Sequence, residues 1–129
     1  MKPLPQITVA QADGLSIGLH AEIRDLCARA YGEQIDHLLA TFVNPTHVLA
    51  SLEGALVSHA LWVTRWLQQA ERLPLRSAYV EMVATDPTYQ KRGLATAVMS
   101  RLANEIAQYD LGALCPARPD VYSRLGWDF

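Results

Sequence analysis

The residues best placed to do chemistry fall in one run from Tyr79 to Ala95, Tyr-Val-Glu-Met-Val-Ala-Thr-Asp-Pro-Thr-Tyr-Gln-Lys-Arg-Gly-Leu-Ala. The pattern predicts a strand, a turn at Asp86-Pro87, a tight Gln90-Lys91-Arg92-Gly93 loop and a helix start. Such a succession is an anion cradle. The first N–H groups of a helix lack intrahelical partners, and the helix dipole favours negative charge at that end. Gly93 lets backbone approach a ligand closely, Ala95 is too small to block it, and Lys91 and Arg92 add positive charge. The chain has no G-x-x-x-x-G-K-[ST] and no G-x-G-x-x-G, so neither a P-loop nor a dinucleotide fingerprint is present. A surface strand-to-helix turn that merely contains glycine would share the local pattern.

The elements that position this run can be read on either side of it. Ile7 to Ala10 alternates weakly, as a first strand would, and Asp13-Gly14 marks a turn. Leu19, Ile23, Leu26, Ala30 and Tyr31 recur at helical spacing up to a stop at Gly32, and a shorter helical piece spans Ile35 to Phe42. Thr46 to Leu52 and Ala55 to Leu67 read as a hairpin closed by Glu53-Gly54, the second strand apolar on both faces and central. Arg76 to Thr85 is the next strand, with Tyr79, Glu81, Val83 and Thr85 expected on one face and Val80, Met82 and Ala84 on the other. Beyond Gly93, Leu94, Val98, Leu102, Ile106 and Tyr109 form a helical stripe. Leu111 to Leu114 is a short strand, Pro116 and Pro119 bracket a loop, and Asp120 to Leu125 is a short helix capped by Asp120 and ended by Gly126. The order predicts a mixed α/β domain, one sheet with helices packed against it.

Bulk properties exclude several classes. A chain of 129 residues suits one domain, 1–129, and half of its residues are apolar against 19% charged. The formal net charge of -2, without a Lys/Arg block, argues against a nucleic-acid surface. No apolar run reaches the ~18–20 residues that span a bilayer, so no membrane partner is expected. The opening Met1-Lys2-Pro3-Leu4-Pro5-Gln6 lacks the features of a secretory signal, and a cytoplasmic location is expected. Cys27 and Cys115 have neither metal-ligand nor redox-pair spacing and are expected as buried free thiols. His20, His37, His47 and His59 show no triad or metal spacing and read as surface or satisfied core histidines, with no metal expected. Trp62 and Trp66 read as core.

With these residues in view, the chain resembles the GNAT acetyltransferases. Gln90-Lys91-Arg92-Gly93-Leu94-Ala95, after Asp86-Pro87-x-Tyr89, looks like the family's Gln/Arg-x-x-Gly-x-Gly/Ala signature. Downstream, Tyr122-Ser-Arg-Leu-Gly126-Trp127 is similar to its Tyr-x-x-x-Gly-Phe/Trp segment. The resemblance implies a GNAT fold, with a central, mostly antiparallel mixed sheet flanked by helices. Members usually continue past Gly-Trp with further strands, so a C-terminal truncation at Phe129 is expected, along with a homodimer that covers the open edge. It also implies acetyl-coenzyme A as cosubstrate. The pantetheine arm would pair with exposed backbone around Met82, Val83, Ala84 and Thr85, and the diphosphate would sit on the amides of Gln90, Lys91, Arg92, Gly93, Leu94 and Ala95. An amine would then attack the thioester directly.

Direct transfer needs a neutral amine, so a base must take a proton. Glu81, a carboxylate in an apolar strand, is the candidate; pairing with Arg76, Arg65 or a substrate cation is its alternative role. Tyr122 is the candidate acid for the departing thiolate, against a purely packing role. Tyr79-Val-Glu81, Leu111-Gly-Ala-Leu114 and Tyr122-x-x-x-Gly-Trp127 look most like the aminoglycoside 2′-N-acetyltransferase branch. Its polycationic acceptors want carboxylates, and Glu33, Asp36, Glu81 and Asp120 could supply them. A coenzyme-binding module without catalysis and a protein or peptide acetyltransferase are the competing expectations.

Overall fold

Five strands form one sheet in chain order, β1-β2-β3-β4-β5, in a computed structural model that describes residues 3–116 and 119–128. Expectations that concern Met1, Lys2 and Phe129 lie outside these residues. β1 (Gln6–Gln11), β2 (Thr46–Leu52), β3 (Ala55–Leu67) and β4 (Leu75–Thr85) pair antiparallel, and β5 (Leu111–Leu114) joins β4 parallel. The parallel pair needs a crossover, and α3 (Leu94–Glu105) supplies it. α1 (Ile17–Tyr31) and the single turn α2 (Asp36–Leu39) precede β2, and α4 (Pro119–Ser123) follows β5. The mixed sheet flanked by helices is the expected architecture.

Helix ends follow local chemistry. Ser16 caps α1 by accepting from the Leu19 amide at 3.1 Å, and Gly32 closes it in the left-handed region at φ 75°, where a side chain is disfavoured. α4 begins at Pro119, one residue before the expected Asp120 cap, so Asp120 sits in its first turn.

Strand alternation divides the core between the two sheet faces. Leu49, Leu61 and Val63 pack with Ile23, Leu26 and Ile35 on the side of α1 and α2. Val48, Ala50, Ala60, Trp62 and Val80 pack with Val98, Met99 and Leu102 of α3 on the other. β3 is buried from Leu56 to Val63, as its apolar run predicted, and lies third of five. Trp66 departs from expectation: it is 66% exposed. Pairing with β2 ends at Trp62, so Trp66 sits on a part of the hairpin that protrudes past its neighbour. Cys27 is buried, which pushes its thiol up to about 12, whereas Cys115 is exposed just beyond β5, contrary to the expectation for both.

The C-terminal segment docks through one close approach. Gly126, at φ 95°, turns the chain so that the Trp127 amide donates to the Tyr122 carbonyl at 3.1 Å. The Trp127 ring then lies over Gly112 in β5. A Cβ at position 112 would stand 2.9 Å from Ile106 Cδ1 and 3.1 Å from the Trp127 ring. Gly112→Ala should therefore destabilise by about 1–3 kcal/mol through overpacking. A lower midpoint of urea unfolding checks this, and an unchanged midpoint would mean that Trp127 is not held against β5.

Candidate functional site

The site begins where β4 parts from β5. The two strands pair only over Ser77–Val80 and Leu111–Leu114, so β4 continues from Glu81 without β5 beside it. At the same point β4 carries an extra residue. His59 faces Ala84 and Leu61 faces Glu81, which leaves Ala60 opposite both Met82 and Val83. This is a β-bulge, and Met82 takes a left-handed φ of 56° to make it.

The bulge corrects the expected facing of the strand. A simple alternation puts Glu81 with Val83 and Thr85. With one residue inserted, Met82 and Ala84 join the core on the α1 side, continuing the face of Tyr79, while Val83 packs on the α3 side. Glu81 thus stands next to Met82 on the face toward α1 and α2.

A cavity of about 450 Å³ opens there. Glu81, Met82 and Val83 form one wall, Tyr31, Glu33 and Leu38 another, and Cys115 and Tyr122 a third. Glu81 and Tyr122 are therefore brought to one cavity from distant parts of the sequence. Burial pushes the Tyr122 phenol above its ordinary value, so it stays protonated at neutral pH. Glu81 makes no ion pair among the described residues: Arg65 lies over the Tyr79 ring at 4.5 Å and Arg76 over the Tyr109 ring at 4.0 Å. Of the other expected carboxylates, Glu33 lines this cavity, Asp36 lines a separate one, and Asp120 forms an ion pair with Arg124 at 3.3 Å.

Sequence reading passed over Tyr31. Its hydroxyl donates to the Val83 carbonyl at 2.8 Å, linking the last turn of α1 to the bulge. Burial, and then the nearby Cys27, Tyr122 and Glu81, push its phenol up to about 12. Helical spacing marked this residue as part of an apolar stripe, and nothing local signalled its bond to β4.

Ala84 and Thr85 lead from the cavity to the loop. Both are tied to β3 through Ser58, whose hydroxyl donates to the Ala84 carbonyl at 3.2 Å and lies 2.9 Å from the Thr85 hydroxyl. Asp86 then fixes the turn. Its amide donates to the Val57 carbonyl at 2.8 Å, one carboxylate oxygen accepts from the Thr88 amide at 2.9 Å, and the other meets Arg29 of α1 at 3.0 Å. Burial alone would raise its carboxyl, but the Thr88 amide and the Arg29 guanidinium outweigh that and hold it below the ordinary carboxylate value.

The loop itself keeps its donors free. Lys91 and Gly93 both take left-handed φ values, 64° and 78°, and no side chain caps α3. Gln90 and Lys91 continue the turn of Pro87–Tyr89, and among the described residues the amides of Gly93, Leu94 and Ala95 find no acceptor within the chain. A Cβ built on Gly93 meets nothing within 4 Å, so the ground before these amides is open. Leu94 anchors the helix start in the core, and Arg92 lies 5.1 Å from the Tyr89 ring, which holds its charge beside the loop.

Behind the bulge, three of the four histidines come together, which their sequence spacing hid. His47 Nδ1 lies 2.8 Å from His59 Nε2, and His59 Nδ1 lies 2.9 Å from the Met82 carbonyl oxygen. His20 meets the His47 ring edge-on at 6.4 Å between centroids. Antiparallel register explains the meeting, since Leu49 faces His59 and His47 faces Leu61. His59 is a satisfied core histidine, as expected. His47 is not: its Nε2 is buried without a partner among the described residues. Among those residues, no group of three or more His, Cys, Asp or Glu is placed to hold a metal ion.

Both imidazoles are held neutral. Burial lowers His47, with a further push from His20; burial and then His47 lower His59, against a smaller opposing pull from the Met82 carbonyl. In the unfolded chain each would gain a proton as pH falls through ~6.5, and in the folded chain neither does until well below that. Stability is therefore complete above ~6.5 and is lost as pH falls, by up to about 1.4 kcal/mol per pH unit for each histidine. Urea midpoints measured from pH 7 to pH 5 should fall, and His47→Phe should flatten the slope.

Comparisons with known proteins agree with this geometry. The family model described as acetyltransferase (GNAT) domain matches residues 21–129. An aminoglycoside 2′-N-acetyltransferase of Mycolicibacterium fortuitum is 37% identical over 84 residues, 63% of this chain and 43% of that protein. The chain thus spans less than half the length of that curated relative. Eis1 from Mycobacterium abscessus superposes with a TM-score of 0.78 at 22% identity, over 94% of this chain and 30% of Eis1. A predicted acetyltransferase from Clostridium acetobutylicum, crystallised with acetyl-CoA, superposes at 0.69 and 20% identity, over 96% of this chain and 91% of its own.

Proposed function

Since the chain belongs to the acetyltransferase (GNAT) domain family, we propose that it binds acetyl-coenzyme A and transfers the acetyl group directly to an amine. The observation that carries this reading is the open loop at the start of α3, where the amides of Gly93, Leu94 and Ala95 are uncapped, reached along β4 from a cavity that holds Glu81 and Tyr122. Those amides and the dipole of α3 suit a diphosphate, with Lys91 and Arg92 alongside. The β4 backbone at Met82 and Val83, free of β5, suits the amide groups of a pantetheine arm. On this reading the thioester lies in the cavity.

The chemistry then assigns roles. The amine nitrogen attacks the thioester carbonyl carbon, the C–S bond breaks, and the sulfur leaves as thiolate. Glu81, on the cavity wall and without an ion pair among the described residues, takes the proton from the amine directly or through water. Tyr122, protonated because it is buried, returns a proton to the sulfur. The acceptor is a polycationic small molecule, an aminoglycoside being the leading class. Glu33 and Glu81 both line the cavity, and among the described residues no Lys or Arg lines it, which favours a cation. The 37% identity to a protein named for that activity points the same way.

Two experiments test the reading. Calorimetric titration with acetyl-coenzyme A should show binding by the wild type and at least ~10-fold weaker binding by Gly93→Glu, whose carboxylate would stand in the anion site. A wild type without binding would refute the reading. In a thiol-release assay across aminoglycosides, polyamines and peptides, aminoglycosides should give the highest kcat/KM. Glu81→Gln should lower kcat by roughly 10²–10⁴ and abolish the acid limb of the pH–rate profile. An unchanged profile would remove Glu81 from the mechanism.

A further inference from the structure

We infer that His59, its tautomer set by the Met82 carbonyl and its ring held by His47, is a positioning residue that locks the β4 bulge in the form that presents the acyl site; this rests on the acetyl-transfer reading. Met82 is not glycine, yet it holds a φ of 56°. Such a conformation persists only where the surroundings over-determine it. Here they do, because side chains from two other elements hold two consecutive carbonyls. His59 of β3 takes the Met82 oxygen at 2.9 Å and Tyr31 of α1 takes the Val83 oxygen at 2.8 Å.

The direction of every proton in this relay follows from its end. The Met82 carbonyl has none to give, so His59 Nδ1 must carry the hydrogen. A neutral His59 then has a bare Nε2, which can only accept, and His47 Nδ1 must donate to it across 2.8 Å. His47 Nε2 is left bare, and it is the buried atom without a partner. Each ring is thus fixed in tautomer and in plane by the next. No alternative neutral arrangement satisfies the Met82 oxygen, and neither imidazole lines the cavity.

The consequence is catalytic geometry without contact to substrate. If the Met82 peptide rotates, the amides and carbonyls that β4 offers the cavity turn with it, while the Gln90–Ala95 loop lies beyond Ser58 and Asp86 and stays in place. Loss of His59 should then impair turnover far more than coenzyme affinity, since small misplacements of reacting groups cost rate steeply.

The test compares His59→Leu with His59→Asn, whose amide nitrogen can stand where Nδ1 stood. With acetyl-coenzyme A and the best acceptor amine, His59→Leu should lose at least 10-fold in kcat while its coenzyme dissociation constant, by calorimetry, stays within threefold of wild type. His59→Asn should recover most of that kcat. Equal losses in both variants, or a retained kcat in His59→Leu, would overturn the positioning role while leaving acetyl transfer intact. Absence of wild-type turnover and binding would instead remove the reading beneath it. Should His59→Leu fail to fold, ¹⁵N imidazole spectra of the wild type decide: both His47 and His59 must carry the hydrogen on Nδ1, and an Nε2–H signal for His59 overturns the proposal.

Discussion

The extra residue in β4 governs what the rest of the molecule can do, because a regular ladder at that place would leave no site. Strand pairing satisfies backbone groups in strict alternation, and one inserted residue breaks the alternation and bends the strand. Here the insertion, at Met82 and Val83, begins two residues past the last pairing with β5 at Val80. The two events together turn an interior strand into an accessible edge for the length of a few peptides. An exposed edge is a hazard for association. In this fold it is confined to a cavity and walled by α1, α2 and the segment after β5.

Around that bulge the surrounding elements act as struts. His59 holds one carbonyl from β3, Tyr31 holds the next from the last turn of α1, and Ser58 holds a third one step further along. Arg29, two residues before Tyr31, reaches Asp86 at the end of the same strand. α1 therefore touches both ends of the functional stretch of β4, and its register on the sheet fixes the distance between cavity and loop. Packing of Ile23, Leu26 and Cys27 in the core sets that register. Burying each large apolar side chain contributes roughly 1.5–3 kcal/mol, so the stiffness of the site derives from the core and not from the site's own polar contacts.

Much of this was legible in the sequence, and the boundary of what was not is physical. Periodicity located all five strands and α1 and α3, because burial on one face imposes a period that local reading detects. The turn into α3 was legible for a similar reason, since Gly93 followed by a helical stripe from Leu94 marks it locally. The bulge was not legible. Met82 and Val83 are ordinary strand residues, and inserting either leaves the composition of the run unchanged while reversing the face of everything beyond. For that reason Glu81 was placed with Val83 and Thr85, whereas the fold places it beside Met82. Registers between strands are equally silent in a single chain. His47 and His59 lie 12 positions apart and meet only because β2 and β3 pair as they do. Trp66 and Cys115 were misjudged for a third reason: residue type predicts burial, but where a strand outruns its neighbours or ends at a cavity, position overrides type.

Charge is partitioned along β4 in a way that neither end could achieve alone. At the loop, Lys91, Arg92 and a helix N-terminus create positive potential, while the cavity at the bulge carries Glu33 and Glu81 and, among the described residues, no basic neighbour in its lining. A formal net charge of -2 conceals this separation. A ligand with an anionic end and an uncharged arm can lie along the strand with its anion at the loop and its reactive end in the cavity. A cationic partner is drawn to the cavity and repelled by the loop. On the proposed reading, opposite potentials at the two ends would orient two different molecules head to head, before any specific contact forms. Holding those ends at fixed separation is the task of the braced strand between them, so electrostatic sorting and backbone rigidity are two aspects of the same construction.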